Sequence, residues 1–265
     1  MIQEKNSSKS YLQRISNTLM INGSFLDNCG LYTGEMGIVL FFSRYARFIK
    51  NELYADYSFE LLEKVQNNVY QDTPINYQQG LAGFGSTIEY LVQYNFFEAD
   101  TDDILEEFDN RIFFTYNLPY LPIDQIMDIG YYVIWRLSGK SSRKDMIRQT
   151  ILPPIVKAMS EWNKKNNLPP HPVVSFFKEI VSNTKSSIIP AWLELCRKQS
   201  PYRLNAKSHE SLLENFSNSD NTNIKNLNLG IHDGLAGLGL SLLTELDGDD
   251  TWISLFPNEL IPIKK

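Results

Sequence analysis

Three segments of this 265-residue chain repeat one pattern, Gly-x-x-Gly followed by an apolar run: GLYTGEMGIVLFF from Gly30, GLAGFGSTIEYL from Gly80 and HDGLAGLGLSLL from His232. The paired glycines are Gly34 and Gly37, Gly80 and Gly83, Gly234 and Gly237. Two worn copies extend the series. In MDIGYYVIWRL Met127 replaces the first glycine and Gly130 keeps the second, while in PHPVVSFFKEIV Pro170 and Val173 take both places. Successive first positions are 46, 47, 43 and 64 residues apart. Three nearly equal intervals, each sized for two helices and their turns, predict stacked α-hairpins and not a doubly wound sheet.

Helical periodicity lies between the motifs, at Leu61, Leu62, Val65 and Val69, and again at Ile104, Leu105, Phe108 and Ile112. These are the second helices of their hairpins. No sustained period-two alternation bounded by Asn-Gly or Asp-Gly turns occurs, so strands are not expected. Pro153 and Pro154 interrupt the helical pattern from Met146 to Met159, and that helix is expected to be kinked or divided. Glycine inside a helix costs about 0.5–1 kcal/mol relative to alanine, so the motif needs a reason. The first glycine is expected to supply unusual backbone angles at the entry turn, and the second to remove a side chain where a neighbouring backbone comes close.

Composition bounds the function. Lysine and arginine total 25 against 31 aspartates and glutamates, a net charge of −6, and the one modest basic cluster is KSSRKDMIR, Lys140 to Arg148, read as a solvated helix start. Nucleic acid is therefore not an expected partner. Two cysteines, Cys29 and Cys196, exclude a disulfide framework. No stretch approaches the length of apolar sequence needed to cross a bilayer, and the first residues lack a secretory apolar run, so a cytoplasmic protein without membrane insertion is expected. One domain over residues 1–265 is expected.

The glycine segments resemble the lanthionine synthetase C-like (LanC-like) family, most specifically at GLAGFGSTIEYL and at GIHDGLAGLGLSLLTELDGDDTWISLF, where an acidic turn and Trp252 follow the last glycine helix. The resemblance spans most of Gly30 to Phe256 and implies an all-α fold, an α/α toroid whose inner helices start near Gly34, Gly80, Met127, Val173 and Gly234 along one rim. At about 45 residues per hairpin the chain holds roughly six units, one short of the family's seven. The resemblance also implies action on a ribosomally made precursor peptide, alone or with other maturation enzymes. Family cyclases hold zinc through a Cys-His-Gly sequence and a separate cysteine. This chain has neither; its nearest sequence is Ile231-His232-Asp233-Gly234.

A zinc-free accessory or peptide-binding homologue is accordingly expected, with no cofactor. Two alternatives stay open. A rearranged zinc site would draw on Cys29, His171 and His232, the three of five soft ligands (with Cys196 and His209) that precede predicted inner helices. A glycan-processing enzyme would draw on the acids near helix starts, Glu35, Asp128 and Asp233, which also suit simple helix capping. Those three acids and His232 are the candidate catalytic groups, and Tyr131 and Tyr132 are candidates for lining a binding cavity. Several helix N-termini at one rim would concentrate positive potential, favouring a thiolate, a developing enolate or an acidic peptide.

Overall fold

The glycine motifs open helices, as their spacing requires. A computed structural model describes residues 2–26, 28–115, 118–167, 172–182, 188–200, 213–214, 216 and 228–257. Among them every regular element is helical and no strand occurs, so the fold is all-α. The chain gathers into two compact units, one of Met1–Pro74, Gln78–Gly80 and Leu204–Thr251, the other of Ile75–Tyr77, Leu81–Arg203 and Trp252–Lys265.

In the first unit, α1 (Ile2–Asn22) buries Leu12, Ile15, Ser16 and Leu19, a single helical stripe. Its sequence is too polar to have signalled a core helix. Helix α2 (Glu35–Ile49) follows Gly34, and its C-cap Lys50 takes the left-handed conformation at φ 56°. That turn leads directly into α3 (Glu52–Asn67), whose N-cap Asn51 accepts from Leu53 N–H at 3.0 Å. The hairpin closes on rings: Phe42 stacks on Tyr54 and meets Tyr57 edge-on. A buried polar clasp joins the same helices, with the Ser43 and Ser58 hydroxyls 2.8 Å apart and each within hydrogen-bond distance of Val39 O, so that one donates to the carbonyl and the other to the carbonyl or to its neighbour. The last glycine motif opens α12 (Leu235–Asp247), which packs on α1 and α2. Gly239 lets the Phe41 ring approach to where a Cβ would stand 2.3 Å from it.

In the second unit, α4 (Leu81–Gln93) packs on α7 (Ile123–Ser138), with Gly85 against the Tyr132 ring. The second-helix pattern after α4 divides into α5 (Thr101–Ile104) and α6 (Glu106–Phe114). The proline-interrupted helix is divided as its sequence predicts. It runs as α8 (Lys144–Met146), a π-helical turn (Ile147–Ile151) and α9 (Leu152–Lys165). Leu152 N–H bonds back to Ile147 O, one residue beyond the α-helical partner, just where Pro153 and Pro154 withdraw two donors. Helices α10 (Pro172–Ser182) and α11 (Ile188–Gln199) meet through Phe176 stacked on Trp192 at 4.4 Å. Trp252 and Phe256 are buried edge to face.

One expectation is corrected. Helix α7 starts at Ile123 behind Pro122, four residues ahead of Met127. Met127 and Gly130 therefore lie inside the helix, where Gly130 makes room for the Phe177 ring, 2.9 Å from an added Cβ. Pro170 lies outside the described residues; α10 begins at Pro172, beside the predicted start. No described helix is long and apolar enough to cross a membrane.

Candidate functional site

The loops ahead of α2 and α12 have one design, offset by 200 residues. In the first, the Asn28 side chain accepts from Gly30 N–H at 3.1 Å and the Asn28 carbonyl accepts Glu35 N–H at 3.0 Å. In the second, the Asn228 side chain accepts from Gly230 N–H at 2.9 Å and its carbonyl accepts Leu235 N–H at 2.9 Å. Each loop thus folds back over its own helix start. Ala236 and Gly237 donate to Leu229 O and Gly230 O, so the first three amides of α12 are all occupied by the loop's carbonyls.

That arrangement revises the role given to the first glycine. Gly34 (φ −112°, ψ −167°) and Gly234 (φ −137°, ψ 174°) are extended, which any residue adopts. What a side chain cannot do is fit: a Cβ on Gly34 would stand 2.0 Å from Asn28 Oδ1, and one on Gly234 2.4 Å from Gly230 O. The second glycine behaves as its sequence position predicts. A Cβ on Gly237 would stand 2.0 Å from Ile231 O, and one on Gly37 2.7 Å from Leu31 O.

The loops also stack on each other. Ile231 and His232 N–H both donate to Tyr32 O, at 2.8 and 2.9 Å, and Tyr32 N–H donates to Gln78 O at 3.0 Å. Gly230 lies against Thr33 and Gly30 against Gln79, each so close that a Cβ would fall within 2.7 Å of the neighbour's backbone. The spatial order is residues 228–234, then 28–34, then 78–80. The last glycine loop therefore sits beside the first, and the first beside the second.

The candidate side chains divide. Glu35 is buried in an ion pair with Lys64, whose ammonium also donates to Ser24 O at 2.6 Å. It is held as a structural anion. His232 and Asp233 are exposed on the last loop, Nε2 to Oδ2 3.5 Å, with Asp233 in the left-handed region at φ 48°. Asp128 belongs to the other unit, in the second turn of α7. Burial pushes its carboxyl up to about 7, against a bond from Tyr77 N–H and with help from the Asp124 carboxylate. Tyr131 packs edge-on to Tyr77. Tyr132, a cavity-lining candidate, is fully buried and donates its hydroxyl to Asp109 at 2.6 Å; it belongs to the core.

Metal donors do not converge: among the described residues no three of His, Cys, Asp and Glu are placed to share an ion. Cys29 is half-buried on the first loop, its thiol 3.7 Å from Gln79 O. Cys196 is buried on α11, and burial pushes its thiol up to about 12, which disfavours the thiolate that zinc needs. His171 and His209 lie outside the described residues.

Sequence reasoning missed a buried ionic cluster in the second unit. Arg136, fully buried on α7, pairs with Glu89 on α4, with Asp109 at 2.9 Å and with Asp102 at 2.6 Å. Burial raises Glu89 while Arg136 opposes the shift. A signal existed. Glu89 and Arg136 each stand nine residues after the first position of their repeat, opposite charges at equivalent places in successive apolar runs. A pocket of about 240 Å³ at the C-terminal ends of α4 and α7, lined by Gln93, Ser138, Leu193, Glu194, Arg197 and Ser254, holds none of the predicted site residues.

No protein-family model matches the sequence, and no curated protein or solved structure is significantly similar to it.

Proposed function

We propose that this chain is a LanC-like protein that binds a ribosomally made precursor peptide at its glycine loops, as a zinc-free accessory to peptide modification, with its hairpins arranged as an α/α toroid. The observation that carries this reading is the order of the glycine loops, last beside first and first beside second through Tyr32. A ring of repeated hairpins requires that adjacency, and a linear solenoid would keep its terminal units apart. The loops expose Asn28, Gln78, Gln79, His232 and Asp233, polar groups suited to a peptide's side chains and backbone.

The chemistry of the surface favours binding over cyclisation. The leading amides of α12 are consumed by their own loop, which removes the anion-directed donors expected at a bare helix start. The Cys-His-Gly sequence is absent, and Cys29 and His232 gain no third ligand among the described residues. Glycan hydrolysis has less support, because Glu35 is neutralised by Lys64.

The test is capture of the full chain on the immobilised precursor peptide encoded beside its gene, followed by mass spectrometry of a dehydrated form of that peptide. Retention of the chain without thioether formation is expected. Failure to bind, together with sugar release abolished by Asp128→Asn or Asp233→Asn, would establish the hydrolase instead.

A further inference from the structure

Helix α11 has two faces. Ile189, Trp192 and Cys196 are buried, while Pro190, Leu193, Glu194 and Arg197, spaced i, i+3, i+4 and i+7, share the other face and form one wall of the pocket of about 240 Å³. Glu194 and Arg197 are ion-paired on that wall, and the more exposed Lys198 reaches Glu194 at 3.3 Å. Two opposite charges therefore line one cavity. Its volume lies below the roughly 300–1,000 Å³ of sites for drug-sized molecules, which suits a small metabolite.

The other wall comes from Gln93 and Ser138, the last residues of α4 and α7, in the same compact unit. Gln93 is locked in place. Its amide donates to Glu89 at 3.1 Å and to Trp135 O at 3.4 Å, and Glu89 is held in turn by Arg136 in the buried ionic cluster. Gly139 permits this approach, since a Cβ there would stand 2.2 Å from Glu89 Oε2. The single Ser138 hydroxyl proton is directed to Gln93 Oε1 or to Trp135 O, at 3.0 and 2.7 Å. These two side chains thus offer the cavity oxygen lone pairs and no proton. The C-terminal ends of two helices add negative potential at the same place. This wall is built for a cationic donor, and it is rigid before any ligand arrives.

We propose that the pocket binds a free α-amino acid with an apolar side chain. Its ammonium lies on Gln93 Oε1 and Ser138 Oγ, its carboxylate on the Arg197 guanidinium, and its side chain against Leu193, Pro190 and Tyr94. A guanidinium carries five donors in a planar fork, so Arg197 can serve a second carboxylate while holding Glu194. A zwitterion answers both walls at once, whereas a lone amine leaves the guanidinium wall unused and a lone carboxylate meets lone pairs on the other. The pocket shares no residue with the glycine loops, so the site stands or falls independently of the peptide-binding reading.

The experiment is calorimetric titration of the full chain with each of the twenty free amino acids, followed by two analogues of the tightest binder, the amine that lacks its carboxylate and the acid that lacks its amino group. Saturable binding of an amino acid with an aliphatic or aromatic side chain is expected, with both analogues at least about tenfold weaker. The variants separate the two ends of the ligand. Arg197→Gln should weaken the amino acid at least about tenfold and leave the amine analogue unchanged, while Ser138→Ala should weaken the amino acid and the amine and leave the acid unchanged. The analogue comparison uses the native chain, so it decides the matter even should a variant fold poorly. Absence of saturable binding by all twenty, an analogue as tight as its parent amino acid, or native affinity in both variants would overturn the site.

Discussion

The Arg44 guanidinium donates to the main-chain carbonyl of Asp249 at 2.6 Å and lies 3.4 Å from the carboxylate of the same residue. It also reaches Asp247 at 3.3 Å. A buried cation on α2 thus holds the acidic turn that follows α12, and the end of the glycine series is fastened to its beginning. Asp247 and Asp249 accept from the turn's own amides while Gly248 supplies the left-handed step at φ 78°.

Breaking this clamp should be costly. Arg44→Met is expected to remove about 2 kcal/mol, below the value for a fully buried pair because both aspartates keep some contact with water. Burial alone would raise the Asp249 carboxyl, but Arg44 and Thr251 together hold it below its usual value. The stabilisation is therefore present above the unfolded aspartate value, near pH 4, and is lost as pH falls through the lower folded one. Urea unfolding at pH 7 and pH 3 checks this: the deficit of the variant should shrink in acid.

Gly237→Val should destabilise the first unit by on the order of 3 kcal/mol, well beyond the propensity cost, because the new Cβ meets the Ile231 carbonyl at 2.0 Å and main chain cannot rotate away. Gly248→Ala meets no neighbouring atom and suffers only the strain of positive φ, about 1 kcal/mol. Chemical denaturation of both variants tests the ranking. Equal losses would mean that the glycine is kept for backbone angle and not for close approach.

Asp128 makes the opposite pH prediction to Asp249. Its folded value near 7 exceeds the ordinary one, so the native state holds a proton that the unfolded chain releases between about pH 4 and 7. Its contribution to stability therefore falls as pH rises across that window and is constant above it. Asp128→Asn keeps an acceptor for Tyr77 N–H and should be more stable than the native chain at pH 8, with the difference vanishing near pH 4. Thermal melts across that range give the answer, and an unchanged difference would contradict the burial argument.

Much of this was legible in the sequence because glycine spacing reports backbone approach. Gly34, Gly80 and Gly234 mark the starts of α2, α4 and α12 to within one residue. Met127 misled because Pro122 starts α7 a turn early, and a lone glycine at position 130 serves ring packing equally well. Helix α1 was hidden by its polarity, since a stripe of four small contacts does not stand out against Asn, Ser and Lys. The Arg136 cluster was hidden because a charge inside an apolar run reads as solvated until its partners, 27 to 47 residues away, are brought to it. His232 and Asp233 were legible as neighbours, whereas the pairing of Glu35 with Lys64, 29 residues on, depends on tertiary packing.

The most direct test of the central claim is the affinity of a fluorescently labelled precursor peptide for the full chain, compared between the native protein and a His232→Ala, Asp233→Asn double variant. Both side chains are exposed and asparagine tolerates the left-handed conformation at position 233, so stability should be unaffected. Saturable binding by the native chain, weakened at least about tenfold (1.4 kcal/mol) in the variant at unchanged Tm, is the expected result. Absence of binding, or equal affinity in the two proteins, would contradict a peptide site on the glycine loops.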